Sequence, residues 1–282
     1  MPPRYSSPRG SGITLSFPPF TTAVKWLLGI NTVVYVLAGV LLHADPFTPP
    51  MSYFVLRPAD VVRHVAIWQL VTYAFMHTEF WHWFGNMIGI WMFGAQLEQM
   101  WGWRRFTELF GISAVGAALV TIILAYTHVI GNPNTITYGA SGGVFGILMA
   151  FGILFADSEI MLFPFPFQIK AKYFIGVLIL IEVIFTIQSR TSGSGIAYVA
   201  HLGGLLFGWL YVRHAPRYGL VSGTSERVYG LRNSYYRWKR RRAAKKFQVY
   251  MKKQGKDVPY FDEYGNYRPP DSKPDDKGPW VN

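Results

Sequence analysis

A serine and a histidine, each at the start of an apolar segment, carry the chemistry of this chain. Ser141 stands in Gly139-Ala140-Ser141-Gly142, which opens an apolar stretch reaching Phe155. His201 stands in Ala200-His201-Leu202-Gly203-Gly204, which opens another reaching Val212. A serine hydroxyl becomes a nucleophile when an adjacent base takes its proton, and neutral imidazole is such a base. Upstream, His82 and Asn86 are four residues apart and share one helix face. Their ring and amide are candidate donors to a developing oxyanion, as are the free N–H groups at the start of the Ser141 helix. Types and spacing together point to acyl transfer, and the apolar setting points to proteolysis inside a bilayer.

Alone, each residue has a plainer role. Ser141 reads as a helix cap or packing residue, His201 as a satisfied core histidine, and His82 with Asn86 as an interhelical hydrogen-bond pair. The chemical reading rests on the set. No third carboxylate is evident. Glu98 reads as an anchor near the cytoplasmic side, and Glu182, mid-way along an apolar segment, reads as lying at the wrong depth for catalysis, its own role open between a buried pair and a protonated acid. A Ser–His dyad is therefore expected. His77 reads as structural, at the mouth of the cavity. His77 and His82 are five apart and do not form H-E-x-x-H, so no metal site is expected.

The elements that position these residues are apolar. Only 15% of the 282 residues are charged and 51% are hydrophobic, a balance that favours a polytopic membrane protein. With no cysteine, disulfides, thiolate catalysis and cysteine-held metals are excluded. Six apolar segments are candidate spans: Phe20–Leu42, Phe80–Met100, Phe106–Thr127, Gly139–Phe155, Tyr173–Gln188 and Ile196–Val212. A helical span takes about 20 residues, so the last three are short and imply tilt or local thinning. No convincing internal repeat argues for a transporter.

Basic residues set the orientation. Arg104, Arg105, Lys170, Lys172 and the cluster from Arg237 to Lys246 fall on one side, which places both termini in the cytoplasm. The net charge of +12 is spread over these flanks and the tail, which argues against nucleic acid. In this layout the second, fourth and sixth spans run inward, and His82, Asn86, Ser141 and His201 share one depth in the outer leaflet. Polar groups at that level face a bundle interior or a wet cavity. Gly142 with Gly146, and His201 with Gly204 and Gly208, lie on single faces at four-residue spacing. Helices packed through such glycines approach closely enough to join Ser141 to His201.

The domain expectation is a flexible N-terminus over residues 1–19, a six-span domain over 20–213, a basic, partly helical tail over 214–256 and a disordered end over 257–282. The connection His43–Met76, mixing aromatic and charged residues, reads as an interfacial segment. The tail reads as a solvated face touching anionic lipid.

His77-Thr-Glu-Phe-Trp-His82-Trp-Phe-Gly-Asn86, Gly139-Ala-Ser141-Gly142 and Ala200-His201-Leu-Gly-Gly204, continuing to Gly208, occur in this order at matching depth. In these the chain resembles the rhomboid intramembrane serine proteases over roughly residues 20–213. The resemblance implies an all-α membrane protein, a six-transmembrane-helix bundle with Ser141 as nucleophile and His201 as general base. His82, Asn86 and the Ser141 N–H would form the oxyanion site, and Gly139 would shape the loop before the serine. The fifth span and the loop Thr191–Gly195 would act as gate and cap. It implies no cofactor, single-span transmembrane proteins as substrates and the lipid bilayer as medium; a six-span layout resembles bacterial members of an inner or plasma membrane. A non-catalytic, helix-binding relative would lack Ser141 or His201. Two departures are visible: Trp68-Gln69 stands where Trp-Arg is common, and Phe145 stands where a tyrosine commonly stacks on the catalytic histidine.

Overall fold

The computed structural model describes residues 18–161, 168–188, 195–216, 219–255, 261 and 267. Most of the expected flexible N-terminus, the cap loop up to residue 194 and most of the expected disordered end lie outside them. The chain divides into two units, Met1–Gly219 and Leu220–Asn282.

In the first unit, α1 spans Thr22–Val34 and continues as a π-helical stretch over Tyr35–Leu41. Two short helices follow, α2 (Pro58–Arg63) and α3 (Gln69–Thr72), and a 3-10 turn at Tyr73–Phe75. The long elements are α4 (Phe80–Trp101), α5 (Trp103–Tyr126), α6 (Ser141–Leu154), α7 (Ala171–Gln188) and α8 (Gly195–His214). Between α6 and α7 a two-stranded antiparallel hairpin pairs β1 (Glu159–Met161) with β2 (Gln168–Lys170). In the second unit, α9 (Leu220–Lys253) carries exposed Tyr235, Tyr236 and Trp238 among its basic residues.

Three of these helical segments are long and apolar enough to cross a membrane: Thr22–Leu41, Trp103–Tyr126 and Ala171–Gln188. Ser141–Leu154 is apolar but shorter. The α4–α5 reversal takes a single residue, Gly102, whose φ of +80° suits glycine. Its tightness lets Phe106 fold back under α4, packing on the bare face of Gly94.

The core is built by α1, α4, α5, α6, α7 and α8, with Val24, Ile90, Leu97, Phe106, Leu109, Ile147 and Phe151 fully or almost fully buried. The outward faces of α1 and α7 are apolar, with Trp26, Val33, Leu180, Ile184 and Ile187 exposed.

The connection His43–Met76 has two faces: Tyr53, Phe54, Ile67, Trp68 and Val71 are exposed, and the other face turns inward. Met51, Val55, Leu56, Ala59, Tyr73 and Ala74 are buried, and Leu56 and Tyr73 pack in a second core with Ala114 and Ala118 of α5. Non-local backbone pairing holds the inward face in place. Leu56 and Thr137 exchange both N–H···O bonds at 2.9 Å, so the connection holds the strand-like approach to α6. At Trp68-Gln69, Trp68 Nε1 donates to the Tyr53 carbonyl at 2.8 Å, and Gln69 Oε1 accepts the Arg57 N–H at 3.0 Å. The glutamine thus supplies a loop contact of its own.

Candidate active site

The close approach of α6 and α8 positions the site. A Cβ built at Gly204 would lie 2.1 Å from the Gly142 carbonyl oxygen, and one at Gly208 would lie 2.7 Å from Gly146 Cα. Only hydrogen fits at these crossings, and backbone lies on backbone. This contact brings Ser141, the first residue of α6, to His201, early in α8. Ser141 Oγ lies 2.9 Å from His201 Nε2. Both residues are half-buried, which leaves the pair open to a substrate.

The ring of His201 is fixed on three sides. Phe145, one turn into α6, stacks on it with centroids 4.3 Å apart and planes 12° from parallel. Tyr198 meets it edge-on. On the far side, His201 Nδ1 lies 2.9 Å from Glu182 Oε2. This corrects the placement of Glu182 away from the site, on which the expectation of a bare dyad rested. Glu182 is six residues before the end of α7 at Gln188, and His201 is six residues after the start of α8 at Gly195. At a rise of about 1.5 Å per residue both sit about 9 Å from the same connection. Counting inward from that turn was the available signal.

His82, Gly139, His77 and Asn86 form the approach to Ser141. Gly139 has φ of +115°, and a Cβ there would lie 2.5 Å from His82 Cε1 and Nε2. Glycine is therefore required twice, for its backbone and for its bare face against the imidazole. The Gly139 N–H donates to the Tyr73 carbonyl at 2.8 Å, and Tyr73 is held by its hydroxyl on the Ala114 carbonyl at 2.7 Å.

His77 is fully buried, which corrects its expected place at the cavity mouth. Its Nε2 accepts from the Ala140 N–H at 3.3 Å and from Asn86 Nδ2 at 3.2 Å. Asn86 Nδ2 also donates to the His82 carbonyl at 2.9 Å. Both amide hydrogens of Asn86 are thus engaged, and its side chain braces His77 and α4 rather than pointing freely at Ser141. The His82 ring lies against Gly139, two residues before Ser141, and the N–H groups of the first α6 turn have no intrahelical acceptor. Among the described residues no cluster of three metal-ligating side chains occurs.

This arrangement can move a proton from Ser141 Oγ to a ring whose far nitrogen faces a carboxylate, beside a helix N-terminus suited to negative charge. The family model described as Rhomboid domain matches residues 64–218, just over half of the chain. Rhomboid protein 1, mitochondrial, of Saccharomyces cerevisiae is 33% identical over 211 residues, covering 69% of this chain and 55% of that protein. Rhomboid-like protease 3 of Toxoplasma gondii is 22% identical over 187 residues, 66% of each chain. Rhomboid protease AarA of Providencia stuartii is 24% identical over 217 residues, covering 68% of this chain and 76% of that protein. The chain therefore spans about half the length of the yeast relative and two thirds of the Toxoplasma one.

Proposed function

We propose, from the premise that the chain belongs to the rhomboid family, that it is an intramembrane serine endopeptidase. Rhomboid proteins are membrane-embedded, and the apolar helices fit that setting. The observation that carries the reading is the 2.9 Å contact between Ser141 Oγ and His201 Nε2.

His201 Nε2 takes the Ser141 proton as Oγ attacks the scissile carbonyl. The N–H groups opening α6 and the His82 ring stabilise the oxyanion, with Asn86 holding the surrounding loop. His201 then passes the proton to the leaving amine. The acyl-serine is hydrolysed by water entering from the outer side, activated by the same imidazole. No cofactor enters. The substrate is a transmembrane segment of a single-span protein, reaching Ser141 from the bilayer. α1 with its π-helical continuation, α5 and α7 are long and apolar enough to span, and α4, α6 and α8, which share one core with them, complete a six-span reading; the Lys and Arg asymmetry puts both termini in the cytoplasm below an inner or plasma membrane.

The test is covalent labelling of detergent-solubilised protein by a fluorescent fluorophosphonate, with Ser141→Ala and His201→Ala as controls. Labelling of wild type alone supports the reading. A folded wild type that takes no label and cleaves no transmembrane substrate in liposomes would overturn it, in favour of a helix-binding protein without catalysis.

A further inference from the structure

The geometry points to Glu182 as the positioning residue of the catalytic base: its carboxylate accepts the His201 Nδ1–H and holds the imidazole with Nε2 free for Ser141. The inference rests on the protease reading above. Three observations carry it. Glu182 Oε2 is 2.9 Å from Nδ1 while Ser141 Oγ is 2.9 Å from Nε2, so the ring is bracketed by an acceptor on one nitrogen and the nucleophile on the other. Glu182 is 7% exposed on a helix whose neighbouring residues Leu180, Ile184 and Phe185 are exposed and apolar. Among the described residues its carboxylate has one hydrogen-bond partner, His201. A carboxylate within an apolar span is costly and is retained there when it acts on a partner.

The chemistry follows from the tautomer. Neutral imidazole carries one N–H. An ionised Glu182 fixes it on Nδ1, which leaves the Nε2 lone pair for the serine proton. When that proton arrives, the imidazolium so formed faces a carboxylate, which stabilises it. Glu182 gains no proton. The titratable groups facing His201 are Glu182 from α7, His82 from α4 and Tyr198 from α8 itself, while Phe145 of α6 adds only an uncharged face. Carboxylate and imidazole sit on different helices, so the base is complete only where α7 packs on α8.

The experiment compares wild type, Glu182→Gln and Glu182→Asp in liposomes, by kcat and KM on a fluorogenic transmembrane peptide over pH 5 to 9. A proton spectrum of the histidine-labelled protein accompanies it. The expected result is a fall in kcat of about 10²-fold in Glu182→Gln with KM little changed, the magnitude of losing general-base efficiency. The acid limb of its pH profile moves to lower pH, Glu182→Asp recovers part of the rate, and a deshielded Nδ1 proton seen in wild type is absent. Wild-type rate and pH profile in Glu182→Gln would overturn the role of Glu182 while leaving the protease reading intact. A wild type that is inert removes the protease reading instead. The spectrum then decides alone, since a deshielded proton lost in Glu182→Gln keeps the tie and its absence from wild type refutes it. Should Glu182→Gln fail to fold, Glu182→Met removes the buried charge with an apolar chain of similar length and serves the same comparison.

Discussion

Gly142 and Gly204 face each other with no room for a side chain between them: a Cβ at Gly204 would lie 2.1 Å from the Gly142 carbonyl oxygen and 2.9 Å from its carbon. The obstacle is backbone, so a methyl group there moves a helix. Ser141 and His201 ride on these two helices, and a misplacement of about 1 Å at reacting groups can cost about 10²-fold in rate. Gly204→Ala is expected to lower kcat by at least that factor while helical content by circular dichroism stays unchanged. Gly208→Ala, one turn further from His201 and opposite Gly146, is expected to lose less. Equal activity of Gly204→Ala and wild type would contradict this account of how the site is assembled.

Gly139 offers a second steric test. An alanine there must adopt φ of +115° and displace the His82 ring, which lies 2.5 Å from the Cβ position. The backbone strain alone is about 1–3 kcal/mol. Gly139→Ala and His82→Ala are each expected to lower kcat by about 10²–10³, the cost of one oxyanion donor. Because both act through the His82 ring, the double variant is expected to fall little below either single one. Fully multiplicative losses would mean that Gly139 acts on something other than His82.

The apolar runs are legible as helices because lipid-grade hydrophobicity leaves few alternatives, and their ends fall within a few residues of α4, α5, α6, α7 and α8. Four-residue glycine spacing is equally legible, since it describes a single helix face. What the chain does not display is pairing between distant backbones. Leu56 with Thr137, and Tyr73 with Gly139, turn a stretch of mixed composition into buried support for Ser141. Glu182 escaped for another reason: depth judged from position within an apolar run ignores where the neighbouring helix begins.

His77 gives the pH dependence. Burial pushes its imidazole down to about 3, and nearby His82 pushes the same way, against a smaller opposing effect from the Phe75 backbone. Unfolded, the ring takes a proton below about 6.5. Between about pH 6.5 and 3 the unfolded state therefore binds a proton that the folded state refuses, and stability falls as pH falls. The slope from this group is about 1.4 kcal/mol per pH unit at most. Above pH 6.5 it contributes no slope. His77→Gln, whose amide oxygen can still accept from Ala140, is expected to show a shallower loss of melting temperature between pH 6.5 and 4.5. Parallel curves for the two proteins would show that another group drives acid unfolding.

Glu98 tests stability apart from chemistry. Its carboxylate is 5% exposed and accepts the N–H groups of Ala23 at 2.8 Å and Val24 at 3.0 Å, together with the Thr21 hydroxyl. One acid of α4 thus caps the N-terminus of α1, where the first N–H groups lack partners and the helix dipole favours negative charge. Glu98→Gln removes that charge and turns one acceptor into a donor aimed at an N–H. Hydrogen bonds to charged groups contribute about 1.5–3 kcal/mol, so the variant is expected to melt several degrees lower. Thr21→Val, which removes one partner and leaves the two N–H bonds, is expected to cost less than half as much. Because Glu98 touches neither Ser141 nor His201, kcat below the melting range is expected to stay at the wild-type value. A fall in kcat without a fall in melting temperature would show that the α1–α4 contact reaches the active site.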